Sequence, residues 1–167
     1  MIKKYKQYIK EDIDYSEVDP WGEEDWGVDE LSPVLQKARE QGKPFDQIII
    51  LNCYRMNLEN LDGIEQLVNL KILYCSHNQL TSLRGIETLN NLEELYCSYN
   101  QLTSLEGIEN LRNLKILDCS NNQLTSLREI ENLNNLKILY CYNNEFEIGY
   151  KEYLRKWSKE KNIDFII

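Results

Sequence analysis

The sequence predicts an α/β solenoid, in which short parallel strands line one side of a stack and short helical returns line the other. Three observations predict it. All five cysteines, Cys53, Cys75, Cys97, Cys119 and Cys141, fall 22 residues apart. The phrase around them is Leu-x-x-Leu-x-Cys-x-x-Asn-x-Leu, complete in Leu70 to Leu80, Leu92 to Leu102 and Leu114 to Leu124 and varied in the first and last units. Apolar residues then recur three apart, as in Leu83, Ile86 and Leu89. A fixed period of this length is the mark of stacked supersecondary units, none of which buries its apolar face alone.

The cysteine frame starts the five units at Ile48, Leu70, Leu92, Leu114 and Leu136. Apolar positions 4 and 6 alternate with polar or aromatic neighbours, which is the period of a short strand with one face buried. Positions 14, 17 and 20 suit a turn of 3₁₀ helix, whose side chains at i and i+3 eclipse. Position 9 is Asn78, Asn100, Asn122 and Asn144, where an amide side chain can both donate to and accept from a turning backbone. Met56 replaces it in the first unit, so that turn is expected to be irregular. Position 16 is Gly63, Gly85 and Gly107, then Glu129, so glycine is not an absolute requirement there.

The organisation expected is one folded domain in three parts: residues 1–47 as an acidic arm and capping helix, 48–146 as five repeats, and 147–167 as a second cap. From Glu11 to Glu30 the chain carries ten acidic and no basic residues around Tyr15, Trp21 and Trp26. This reads as a solvated arm anchored by its tryptophans, or as a docking strip for a basic partner. Asp12, Asp14, Ser16 and Glu23 sit at calcium-loop spacings, but Glu17 occupies the glycine position, so no calcium loop is expected. Ser32-Pro33 before Val34, Leu35 and Ala38 reads as a capped helix that covers the edge at Ile48 to Leu51. Tyr150, Tyr153, Leu154 and Trp157 share one face of a basic amphipathic helix ended by Asn162, and Ile163 to Ile167 reads as a last strand.

The repeats resemble leucine-rich repeats, with cysteine at the sixth position where leucine is usual. Phrases such as Leu105-Glu106-Gly107-Ile108-Glu109-Asn110-Leu111 are similar to the short-repeat type of internalins and of a regulatory subunit of type-one protein phosphatase. Asn100-Gln101-Leu102-Thr103-Ser104-Leu105 also resembles repeats in proteins of giant amoebal viruses and some bacteria. The resemblance implies a right-handed leucine-rich-repeat solenoid, with a curved parallel sheet on the concave face, 3₁₀ or short helical turns on the convex face and helical caps. It also implies a protein-binding role.

A formal charge of −9 argues against nucleic acid and anionic membrane as partners, and makes a basic protein the expected charged partner. The N-terminus lacks a signal-like apolar region, no Asn-x-Ser/Thr sequon occurs, and the cysteines are odd in number and buried in the pattern. These point to a reducing cytoplasm, or a host-cell cytosol for a viral or effector protein. No catalytic residue, cofactor or metal is expected. The single histidine, His77, lies at variable position 8 and reads as an exposed surface residue, while Glu93 and Glu94 point to opposite sides of a strand.

Positions 3, 5 and 7 are expected to face outward on the concave side. They read Ile50, Ile72, Glu94, Ile116, Ile138; Asn52, Tyr74, Tyr96, Asp118, Tyr140; and Tyr54, Ser76, Ser98, Ser120, Tyr142. Exposed Ile beside Tyr favours recognition of a partner. The candidate contact residues are therefore Ile72, Tyr74, His77, Glu94, Tyr96, Tyr99, Ile116, Asp118, Ile138, Tyr140 and Tyr142. Of these, His77, Glu94, Tyr99 and Asp118, where the copies differ, are the candidates for specificity. Two alternatives stay open: self-association through the Ile/Tyr stripe or a terminal edge, and a thiol-based metal-binding or redox protein.

Overall fold

The structure, a computed structural model, describes residues 31–167. The arm from Glu11 to Glu30, its tryptophan anchors and the calcium-like spacing lie outside the described residues. Six strands, β1 (Ile50–Asn52), β2 (Ile72–Tyr74), β3 (Glu94–Tyr96), β4 (Ile116–Asp118), β5 (Ile138–Tyr140) and β6 (Asp164–Ile166), form one parallel sheet in chain order. From β1 to β5 the register equals the sequence period: Leu51 pairs with Leu73, and Leu73 with Leu95. Identical positions of successive units are thus stacked in rows across the sheet.

The rows facing inward make the core. Leu70, Leu73, Cys75, Leu80, Leu83, Ile86 and Leu89 are fully or almost fully buried, and the next two units repeat the pattern. Position 9 binds the units together. Asn100 Nδ2 donates to the carbonyls of Cys75 and Cys97, each at 3.0 Å, while its Oδ1 accepts from the Leu80 N–H at 3.0 Å. Asn78, Asn122 and Asn144 repeat this arrangement. Each side chain satisfies backbone groups of two units at once, where an unpaired buried group costs ~1–3 kcal/mol. The first turn, which lacks this asparagine, has an additional left-handed residue, Asn57 (φ 55°).

The convex side consists of 3₁₀ turns at Ile64–Gln66, Ile86–Thr88 and Ile108–Asn110, each entered through a glycine with φ between 88° and 102°. Few side chains tolerate that backbone. The fourth unit, with Glu129 at the glycine position, avoids it: its 3₁₀ turn moves two residues earlier, to Arg128–Ile130. Both ends are covered. Helix α1 (Pro33–Arg39) is N-capped by Ser32 Oγ, which accepts from Leu35 N–H, and Gln41 Nε2 donates to the Ile50 carbonyl at 2.7 Å. Helix α2 (Ile148–Lys161) buries Leu154 and Trp157 and ends at Asn162 in the left-handed conformation. Tyr153, expected on the buried face of α2, is instead exposed and donates its hydroxyl proton to Glu131. Among the described residues, no helix is long and apolar enough to cross a membrane.

Candidate binding face

The outward row at position 5 runs Asn52, Tyr74, Tyr96, Asp118, Tyr140 in direct register across β1 to β5. Neighbouring strands lie ~4.8 Å apart, a spacing that suits ring stacking. Tyr74 and Tyr96 stack with centroids 4.8 Å apart and planes 11° from parallel. Beside them runs the position-3 row, in which Ile72, Glu94, Ile116 and Ile138 are partly buried and Ile50 is exposed. The Tyr96 hydroxyl donates to Glu94 at 2.9 Å; burial, and then this carboxylate, push the tyrosine pKa up to about 12. Glu93 points the other way, as expected. It bridges Lys71 and Lys115, whose ammonium groups lower its pKa, Lys115 more strongly.

Position 7 departs from the outward reading. Ser76 and Ser98 are 7% exposed, Ser120 is 0% exposed, and Ser98 Oγ donates to Ser76 Oγ at 3.1 Å. The strands are three residues long, so alternation ends at position 5 and the chain turns inward after the cysteine. Only Tyr54 remains exposed in this row, with Tyr142 partly buried in the last unit.

Position 8 is where the chain turns, with a left-handed backbone in all five units: Arg55, His77, Tyr99, Asn121 and Asn143 have φ between 53° and 57°. The side chains of this row form a second ladder. His77 stacks on Tyr99, with centroids 4.1 Å apart and planes 12° from parallel, and meets Tyr54 edge-on at 5.0 Å. His77 is therefore partly buried between tyrosine rings, not the exposed surface residue expected from the variability of its position. The Arg55 guanidinium lies 5.1 Å from the Tyr54 ring centroid. Further along, Asn143 Nδ2 donates to Asn121 Oδ1 at 2.9 Å.

Between the two aromatic ladders lies a shallow depression of about 240 Å³, bounded by Asn52, Tyr54, Tyr74, Ser76, His77, Tyr96 and Ser98. Three candidates, Tyr74, His77 and Tyr96, share it, and Tyr99 supports it through the stack on His77. Asp118 and Tyr140 continue the row beyond it, whereas Tyr142 lies at the far end of the sheet. Asn52 and Tyr54 join the depression without having been singled out. The signal for them was their place in the first unit's outward rows.

The thiols behind this face are all free and buried. Burial pushes the pKa of Cys53 and Cys141 up to about 12 and raises Cys75, Cys97 and Cys119 further above the ordinary range. The thiolate, which is the form that attacks or binds soft metals, is disfavoured in every unit. Among the described residues, no group of three or more His, Cys, Asp or Glu is disposed to hold a metal ion.

Comparison with known proteins agrees with this architecture. The family model of leucine-rich repeats, taken two copies at a time, matches residues 68–110, 90–127 and 112–148. Residues 68–148 are leucine-rich repeats. The repeats are short, 22 residues each, with a buried cysteine in each. The fold matches an internalin of Listeria monocytogenes at 24% identity and a TM-score of 0.64, over 72% of this chain and 34% of that one. It also matches a leucine-rich-repeat protein of Leptospira interrogans at 37% identity and a TM-score of 0.57, over 62% of this chain and 27% of that one. The chain thus spans about a third or less of these larger structures. No curated protein is similar enough to count as a match. Leucine-rich-repeat domains are typically protein-interaction modules and generally non-catalytic.

Proposed function

We propose that this leucine-rich-repeat chain is a non-catalytic protein–protein interaction module that binds a protein partner through the concave face of its sheet. The observation that carries this reading is the stacked Tyr74–Tyr96 pair beside the Tyr54–His77–Tyr99 ladder, with an open depression between them. Tyrosine offers a large apolar surface with a polar tip at low cost in side-chain entropy, and here the rings are held in place before any partner arrives. His77 and Tyr99 also occupy left-handed positions that asparagine fills more readily, so their rings are kept against the preference of the backbone.

Two features argue against chemistry as the role. The only histidine is engaged by two tyrosine rings, and no thiol has a low pKa. Free buried cysteines in each repeat fit a reducing cytosol, which we assign as the compartment.

The test is a paired substitution, Tyr74→Ala with Tyr96→Ala. Both side chains lie outside the core, so the variant is expected to keep its melting transition and to lose the partners that the wild-type chain captures. Unchanged capture by a folded variant would refute the concave face as the binding surface.

A further inference from the structure

We propose that the gap over Asp118, between Tyr96 and Tyr140, receives an arginine side chain of the protein partner. This rests on the reading of the concave face as the binding surface and adds the chemistry of what binds there. Register places Asp118 directly between the two tyrosines. At ~4.8 Å per strand, Tyr96 and Tyr140 stand about two spacings apart, with a short side chain between them. One row earlier the corresponding space is filled, because Tyr74 lies flat against Tyr96. The tyrosine row is interrupted at Asp118, leaving room for one planar layer with an aromatic side chain to either side and a carboxylate beneath.

The electrostatics select what fits. Asp118 is partly buried, and one oxygen, Oδ1, accepts from the Ser120 N–H at 3.1 Å. Neither Asp118 nor Glu94 has an ion-pair partner among the described residues. At outward positions 3 and 5 of the six strands, the charged residues are Glu94, Asp118 and Asp164, all acidic. The position-2 lysines Lys71, Lys115 and Lys137 belong to the row that points the other way, where Glu93 bridges the first two. A partner that covers this surface must supply a cation, because an apolar group would bury Asp118 unpaired. A guanidinium is planar, stacks on aromatic faces and pairs with a carboxylate through two parallel N–H donors. A lysine ammonium is a strongly hydrated point charge that does not fill a flat slot.

Titration of the isotope-labelled 167-residue chain with N-acetyl-arginine methylamide, followed by NMR, tests the slot. The expected result is a saturable shift of the Tyr96, Asp118 and Tyr140 amides. The uncharged citrulline counterpart and the lysine counterpart should both act more weakly, citrulline by roughly ten-fold. Asp118→Asn should reduce the arginine response about as much, with the rest of the spectrum unchanged. Equal response to citrulline or lysine, an unchanged titration in Asp118→Asn, or no movement at these residues would overturn the proposal. Failure here while Tyr74→Ala with Tyr96→Ala still loses its partners would refute the slot and leave the binding face standing. Retained capture by that variant would refute the face itself.

Discussion

Positions 8 and 9 of the repeat are adjacent in sequence and opposite in character. At position 9 the four later units carry asparagine without exception, and at position 8 the five units carry Arg55, His77, Tyr99, Asn121 and Asn143. The geometry accounts for both. The position-9 side chain is buried with its donors and acceptor committed to backbone groups of two units, so no other side chain of its size can replace it. The position-8 residue needs only a left-handed backbone, and its side chain lies along the rim of the concave face. Asn121 and Asn143 meet the backbone requirement most easily. Arg55, His77 and Tyr99 meet it less well and instead contribute a cation and two rings beside the depression. One row holds the stack together; the next is free to differ, and differs toward aromatic side chains.

That contrast is broken most severely by Asn100→Ala. It leaves the N–H of Leu80 unpaired inside the stack, at ~1–3 kcal/mol, and takes one of two amide donors from each of the carbonyls of Cys75 and Cys97, which keep Asn78 and Asn122, so a loss of about 2–4 kcal/mol is expected in urea denaturation. A loss below about 1 kcal/mol would mean that the asparagine row is not what joins the units.

The interior can also be weakened by pH. The folded pKa of Cys53 and of Cys141 is raised from 9.0 to about 12. Their contribution is therefore complete below pH 9 and is lost as pH rises from 9 toward 12, by up to ~1.4 kcal/mol per pH unit for each thiol. Denaturation midpoints measured from pH 8 to pH 11 should fall above pH 9, and less steeply when Cys53→Ala and Cys141→Ala are combined. An equally steep fall in that variant would take the thiols out of the account.

The smallest effect on stability is expected for Tyr99→Asn. The backbone at φ 54° accepts asparagine more readily, which offsets the lost stack on His77, and the net change should stay within about 1 kcal/mol. The same substitution should weaken partner capture. Unaltered capture would remove position 8 from the binding surface and leave only the position-5 row.

The repeat frame was legible because every unit states it: the cysteine spacing places Leu73, Cys75 and Leu80 in the core and Tyr74 and Tyr96 on the opposite face. The helical caps were legible from Ser32-Pro33 and from the spacing of Leu154 and Trp157. What escaped was local backbone geometry. Alternation predicts that Ser76, Ser98 and Ser120 face outward, but a three-residue strand ends before it reaches them. Variability at position 8 suggested a plain surface point, because nothing in His77 or Tyr99 announces a left-handed turn; only Asn121 and Asn143 carry that signal. At Glu129 the missing glycine was visible, while the two-residue shift of its 3₁₀ turn was not, since it depends on how the turn repacks.

The central claim, that the concave face binds the partner, is tested most directly by comparing three forms of the chain in one capture experiment. These are the wild type, Tyr74→Ala with Tyr96→Ala, and the exposed convex pair Arg84→Ala with Arg112→Ala, each shown to be folded by its melting transition. The account predicts that wild type and the convex pair retain the same partners and that the concave pair loses them. Retention by the concave pair, or loss confined to the convex pair, would contradict it.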